Sequence, residues 1–242
     1  MTFIVVNFIF IILIFLISAV IARILIPRIL LISLRKKLFD IPDDRKVHKR
    51  AIPRLGGVSF FPTTLFAFCL VYTFRLLGGD SVSTLYASYL LPELLLFACG
   101  MTLLYLTGIA DDLVGVRYRQ KFVIQIFCAC LFPLSGLWIN DLYGLFGIHE
   151  LSVYVGIPFT ILTVVFITNA INLIDGIDGL ASGLSSVALL IFTFLFIEKG
   201  LWSYAMLAAG TFGVLVPFFI TTYLAVWSVP VRFLWEIRAA LL

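Results

Sequence analysis

Four carboxylates stand at the ends of long uncharged runs. The adjacent pair Asp111 and Asp112 follows one run, and Asp175 and Asp178 follow another. Ionisable groups at the edge of an apolar segment are costly to keep there and point to function. Adjacent carboxylates repel, and a cation between them is the simplest relief. A hard divalent ion such as Mg2+ prefers oxygen ligands of this kind and typically works with substrate phosphates. The second pair closes the stretch Asn169-Ala-Ile-Asn172-Leu-Ile-Asp175-Gly-Ile-Asp178-Gly179. Its amides can read a base or a sugar, and its carboxylates can hold a metal or a hydroxyl. In a regular helix each step of three residues turns about 300°, so Asn169 and Asp178 would end nearly opposite one another. Gly176 and Gly179 favour a break or a helix terminus here, which would let both amides and both carboxylates face one ligand.

A third cluster is basic. It reads Asp40-Ile-Pro-Asp-Asp-Arg45-Lys46-Val-His48-Lys49-Arg50-Ala-Ile-Pro53-Arg54-Leu-Gly56-Gly57. Arg45 and Lys46 suit phosphate oxygens, and His48 can donate to a phosphate or carry a proton. Gly56 and Gly57 either let backbone approach a ligand or simply start the next segment. An anion site beside a divalent-metal site points to phosphoryl chemistry.

Helices must position these groups, and composition says which kind. Of 242 residues, 62% are apolar or aromatic and only 12% are charged, against about 25% charged in an ordinary soluble domain. Charge-free runs cover Met1–Ala22, Leu55–Phe74, Leu94–Ala110, Phe122–Asn140, Leu151–Ile174, Gly179–Ile197 and Gly200–Val231. A transmembrane helix needs about 20 such residues. The expectation is therefore an all-α polytopic membrane bundle of about seven transmembrane helices, a single domain over 1–242. The third run is short, and Pro92 and Glu93 are placed as its outer cap. The first run lacks a basic start and a small-residue cleavage site, so it reads as a retained span rather than a secretory signal. Cys69, Cys99, Cys128 and Cys130 all lie inside apolar runs and read as small buried hydrophobes.

Basic residues set the orientation. Ten of the seventeen Lys/Arg lie between Arg23 and Arg54 and three more between Arg117 and Lys121, all on one side of a seven-span chain. The positive-inside rule makes that side cytoplasmic and puts the N-terminus outside. The same parity brings both acidic pairs to the cytoplasmic face. The net charge of +4 is thus a topology signal, and nucleic-acid binding is excluded as its explanation. The lipid bilayer is the partner it implies.

Three motifs occurring in this order resemble the polyprenyl-phosphate N-acetylhexosamine-1-phosphate transferases, the glycosyl transferase group 4 membrane enzymes. The matching features are Asp40–Pro42 with Arg45-Lys46-x-His48 and Pro53-x-x-Gly56-Gly57, the Asp111-Asp112 pair, and the long Asn169–Gly179 stretch. The resemblance runs from about Ile4 to about Phe219 and leans toward the branch using UDP-N-acetylglucosamine, away from the muramyl-pentapeptide branch. It implies a UDP-sugar donor, undecaprenyl phosphate as acceptor, release of UMP, and Mg2+, with Mn2+ as the alternative. It further implies a multi-pass protein of the bacterial cytoplasmic (inner) membrane, acting in cell-wall or lipopolysaccharide synthesis, with homo-oligomerisation left open. Residue by residue, Asp111 and Asp112 match the pair assigned to metal handling and to positioning or deprotonating the acceptor phosphate. Asp175 completes the catalytic set, while Asn169, Asn172 and Asp178 frame the nucleotide cleft. Lys121 matches a basic position facing the diphosphate.

The chain departs from the pattern at its end, where Phe233-Leu-Trp235-Glu236-Ile-Arg-Ala-Ala stands in place of a Phe-Met-Gly-Asp-Ser-Gly-Ser-like motif. Codons for this segment exist that encode that motif when read two bases later. The expectation is a frameshift just upstream of Phe233, leaving about 229–242 out of frame and the domain C-terminally incomplete. The gene sequence decides it. Two rival readings follow, an inactive truncated remnant and a carboxylate-dependent transporter. The transporter predicts acidic residues near mid-span, whereas these stand at span ends.

Overall fold

The computed structural model describes residues 2–36, 39–40, 52–53, 56–78, 81–175 and 179–227. Arg45, Lys46, His48, Asp178 and the segment from 228 onward lie outside the described residues. Within them, seven α-helices follow one another. They are α1 (Thr2–Arg35), α2 (Phe60–Leu77), α3 (Ser81–Val114), α4 (Tyr118–Leu134), α5 (Val153–Ile174), α6 (Leu180–Glu198) and α7 (Trp202–Trp227). Two two-residue strands, β1 (Phe39–Asp40) and β2 (Ile52–Pro53), pair antiparallel in the α1–α2 connection. The expected all-α bundle forms because these segments offer no polar face. A helix satisfies its own backbone groups, which is what a medium without water demands.

Six of the helices are long and apolar enough to cross a membrane. Outward residues such as Leu173 (84% exposed) and Phe166 (70%) give these helices the apolar exterior that lipid contact requires. Helix α4 has 17 residues, a length of about 25 Å against a hydrocarbon core of about 30 Å. It is therefore not among those six, one fewer than the seven expected, yet it packs along α3. Its start lies beside the end of α3, and near its other end Phe132 meets Phe97 edge-on, with ring centroids 6.3 Å apart. Arg117 and Arg119 at its start have stems long enough to reach the interface.

Sequential neighbours run antiparallel, as their contacts show. Phe61 of α2 packs on Tyr105 of α3, the Ile139 amide bonds Thr160 of α5 at 2.9 Å, and Phe196 of α6 lies on Tyr204 of α7. Helices α1 and α7 run parallel, with Phe3 against Trp202 and Phe15 stacked on Phe212 at 5.3 Å. One end of the bundle therefore gathers the C-terminal ends of α1, α3, α5 and α7 and the N-terminal ends of α2, α4 and α6.

Three boundaries differ from expectation, each for a local reason. Helix α1 continues past Ala22 through Arg23 and Arg28 to Arg35, so these basic residues ride on a helix rather than in a loop. Nothing between them stops the helix except Pro27, which removes a single backbone donor. Pro92 and Glu93 do not cap α3 but lie inside it. Glu93 needs no solvent there because the Tyr204 hydroxyl of α7 donates to its carboxylate. The fourth run does not stay helical to Asn140. Helix α4 stops at Leu134, Gly136 takes φ +90°, and the chain enters a hairpin closed by an Asp141–Glu150 bridge.

The core is the seam between α1 and α7, with α2 filling its flank. Ile14, Ala67, Val71, Ala205, Met206 and Ala209 are buried together. Small residues let the helices close in. A Cβ on Gly213 would lie 2.5 Å from the Phe15 carbonyl oxygen, so backbone packs on backbone. At the end away from the acidic residues, buried Arg75 donates through Nε to Asn7 Oδ1 at 2.7 Å, while the Asn7 amide donates to the Phe3 carbonyl at 2.9 Å.

Overpacking this seam should be costly. Gly213→Val is expected to lower stability by about 1–3 kcal/mol, read as a fall in thermal midpoint in detergent. Gly108→Ala, whose added methyl meets nothing within 4 Å, should leave the midpoint unchanged or raise it slightly.

Candidate functional site

The end that gathers the C-terminal ends of α3 and α5 also carries their acidic motifs, and helix α4 joins the two. Asp111 stands in the last turn of α3. The chain then reverses at Gly115, whose φ of +72° is a conformation glycine adopts without strain. The Gly115 amide donates to the Asp111 carbonyl at 2.9 Å, and the Val116 amide donates to Asp111 Oδ1 at 2.9 Å. The Lys121 ammonium, in the first turns of α4, donates to Asp111 Oδ2 as a salt bridge. Both partners are about one-third exposed. The Asp111 carboxylate therefore closes the α3–α4 turn and fixes Lys121. Asp112 is half-buried on the next position of the helix, about 100° round from Asp111.

One turn along α4 from Lys121 comes Gln125, on the same face. Its Oε1 accepts from the Asn169 side-chain amide of α5 at 2.8 Å, and that amide also donates to the Val165 carbonyl at 2.8 Å. Gln125 was not among the residues singled out from the sequence. The available signal was an amide inside an otherwise uncharged run, four residues from Lys121. A single face of α4 thus touches both motifs, Asp111 through Lys121 and Asn169 through Gln125.

Helix α5 is regular through Ile174, so Asn169, Asn172 and Asp175 fan over about 120° of its surface, all exposed. The terminus anticipated at the glycines is realised. Asp175 caps α5 through its amide bond to the Ile171 carbonyl at 3.1 Å. Gly179, at φ +78°, opens α6 and lies against the Phe219 ring of α7. Of the expected site residues, Asp111, Asp112, Lys121, Asn169, Asn172 and Asp175 are described, and all lie at this end of the bundle.

Below Gln125 a narrow cleft of about 30 Å3 runs between α3, α4 and α5 toward Glu93. That is room for a water or two, far too little for a sugar nucleotide. Above it lie the helix ends that carry Asp111, Asp112 and Asp175, the mouth of the cleft. Among the described residues, no group of three His, Cys, Asp or Glu side chains is placed to hold a metal ion. Magnesium commonly relies on one or two carboxylates together with substrate phosphates, and the adjacent pair Asp111 and Asp112 fits that mode by its chemistry. Lys121 already occupies one oxygen of Asp111, and the Val116 amide occupies the other.

The sequence model of glycosyl transferase family 4 matches residues 94–223, more than half of the chain and the part holding every described site residue. A Bacillus subtilis (strain 168) protein named probable undecaprenyl-phosphate N-acetylglucosaminyl 1-phosphate transferase is 31% identical over 159 residues, 65% of this chain and 40% of the relative. An undecaprenyl-phosphate alpha-N-acetylglucosaminyl 1-phosphate transferase of Yersinia pestis is 29% identical over 184 residues, 73% of this chain and 46% of the relative. A phospho-N-acetylmuramoyl-pentapeptide-transferase of Staphylococcus carnosus is 29% identical over 191 residues, 73% of this chain and 54% of the relative. The chain thus spans about half the length of the curated relatives it matches.

The Asp111–Lys121 contact can be measured alone. A double-mutant cycle with Asp111→Asn and Lys121→Met should give a coupling of about 0.5–1 kcal/mol in unfolding free energy, modest because both groups are partly solvated. The coupling should shrink in high salt. Additive single effects would show that the pair does not hold the turn.

Proposed function

This chain belongs to glycosyl transferase family 4, and on that footing we propose that its acidic end transfers a sugar 1-phosphate to a polyprenyl phosphate. The donor is a cytoplasmic UDP-N-acetylhexosamine, with N-acetylglucosamine favoured, and the acceptor is undecaprenyl phosphate. An acceptor phosphate oxygen attacks the phosphorus that bears the sugar. The new P–O bond forms the lipid diphosphate, the bond to the bridging oxygen of UMP breaks, and UMP leaves with that oxygen. Names of the relatives support the acceptor and the transferred group. The sugar nucleotide and the released UMP rest on the chemistry of the site and on the resemblance of its motifs.

The observation that carries this reading is the joining of the two motifs across one face of α4, Asp111 to Lys121 and Gln125 to Asn169. Phosphoryl transfer needs positioning and charge neutralisation more than covalent catalysis. Lys121, held by Asp111, presents a cation to the diphosphate. Asn169 and Asn172 offer amides to the nucleotide or sugar, and Asp175 offers an acceptor oxygen at the same mouth. Asp111 and Asp112 would hold Mg2+, which would neutralise developing charge on the phosphates. With the acceptor phosphate largely ionised at neutral pH, Asp111 serves to place charge rather than to remove a proton. Arg45, Lys46, His48 and Asp178 complete the substrate-binding set in this proposal.

The orientation is part of the same reading. Arg23, Arg28, Arg35, Lys36, Arg117, Arg119 and Lys121 all lie at the acidic end, whereas Arg75 and Lys199 lie at the other. The positive-inside rule makes the acidic end cytoplasmic, where nucleotide sugars are found.

Membranes bearing this chain, supplied with UDP-N-acetylglucosamine, undecaprenyl phosphate and Mg2+, should release UMP in proportion to lipid-linked product. Asp112→Asn should lower the rate by about 100-fold or more, and chelation should abolish release until Mg2+ is restored. Correctly folded protein that releases no UMP with any UDP-N-acetylhexosamine refutes the proposal.

A further inference from the structure

The outer side of the α3–α4 pair carries a second feature that the transfer reaction does not use. Where the two helices splay near the acidic end, they leave an open, mostly apolar groove of about 670 Å3, lined by Leu103, Leu106, Ala110, Val123 and Ile124, with Arg119 at its mouth. Its volume is within the range of ordinary ligand sites. No residue of α5 borders it, whereas Val164 and Thr168 of α5 border the cleft at Gln125. Arg119 and Val123 are each about 200° round α4 from Lys121 and Gln125. Val116, whose amide bonds Asp111, and Thr107, one turn before Asp111, also line it, so the groove flanks the Asp111 turn while Arg119 points to the other side of α4 from Lys121.

Arg119 is not a loose surface charge. Its guanidinium lies 5.7 Å from the Tyr118 ring centroid, and its Nε donates to the Tyr118 hydroxyl at 3.0 Å. That bond does not use the terminal nitrogens of the fork, and the residue is exposed. Tyr118 is itself 74% exposed in the first turn of α4, at the level where aromatic residues meet lipid headgroups. An apolar trough ending in a positioned guanidinium matches a molecule with an alkyl chain and an anionic phosphate. We propose that the α3–α4 groove seats one chain of an anionic phospholipid of the bilayer, whose headgroup phosphate is bound by Arg119. The site is separate from that of the acceptor lipid, because its cation and Lys121 project from opposite sides of one helix.

Native mass spectrometry of the full chain in detergent, titrated with phosphatidylglycerol or phosphatidylcholine, tests this. Phosphatidylglycerol should be retained in preference, with one tight equivalent. Arg119→Gln should weaken retention by about fivefold, and Val123→Trp should weaken it by filling the trough. Arg119→Lys should recover part of the loss, and Lys36→Gln, a basic residue elsewhere on the same side, should change nothing. Circular dichroism of each variant reports that it remains folded. Unchanged retention in folded Arg119→Gln and Val123→Trp, equal retention of phosphatidylcholine, or an equal loss in Lys36→Gln overturns the proposal. Displacement of phosphatidylglycerol by equimolar undecaprenyl phosphate also overturns it and reassigns the groove to the acceptor.

Discussion

A polar side chain inside a bilayer has no water to fall back on, and one too long to bond its own helix gains most from a partner on a neighbouring helix or from reaching the surface. Helix α4 is where this constraint shapes the molecule most. It is the shortest of the described helices and carries Lys121 and Gln125 one turn apart on one face. Neither can turn toward lipid at low cost. Lys121 is held by the carboxylate that closes the preceding turn, and Gln125 by an amide on the following helix. Satisfying these two groups sets α3 and α5 at fixed positions about α4. The functional ends of α3 and α5 are thereby brought to one mouth.

The rest of the bundle is a frame for that arrangement. Helices α1 and α7 press backbone to backbone at Gly213, where the small side chain of buried Ser18 also lies in their seam. Polar residues appear at the far end, where Arg75 meets Asn7 and Glu93 meets Tyr204. These contacts tie α2 to α1 and α3 to α7, so α3 is anchored in its interior by Tyr204 and at its C-terminal end by the Asp111 turn. A long helix held at two separated points is a rigid support for a carboxylate pair, and rigidity is what positioning catalysis asks of its scaffold.

Much of this was legible in the residues. Runs without charge marked the helices because nothing else can occupy hydrocarbon, and the glycines beside Asp175 marked a real helix end. The boundaries were harder to read because helices outlast their uncharged runs. Arg23 and Arg28 extend α1 since long stems can carry their charge to the surface. Glu93 stays inside α3 since a tyrosine from a distant helix satisfies it, and no local pattern announces that partner. Lys121 was placed near the diphosphate, yet its bond to Asp111 depends on how tightly the chain reverses at Gly115. Gln125 escaped notice because one uncharged amide hardly disturbs the hydropathy of an apolar run. Its importance comes from facing Asn169, forty-four positions away. The roles of Arg45, Lys46, His48 and Asp178 stand on their motifs.

The central claim is that α4 joins the two acidic motifs through the Gln125–Asn169 contact. Cysteines at these two positions, in a chain otherwise free of Cys69, Cys99, Cys128 and Cys130, provide the direct measurement. A short thiol-specific crosslinker applied to native membranes should link Gln125→Cys to Asn169→Cys efficiently, and should not link Gln125→Cys to Val187→Cys on α6. Failure to link the first pair, or equal linking of both, would contradict the arrangement on which the proposed transfer site depends.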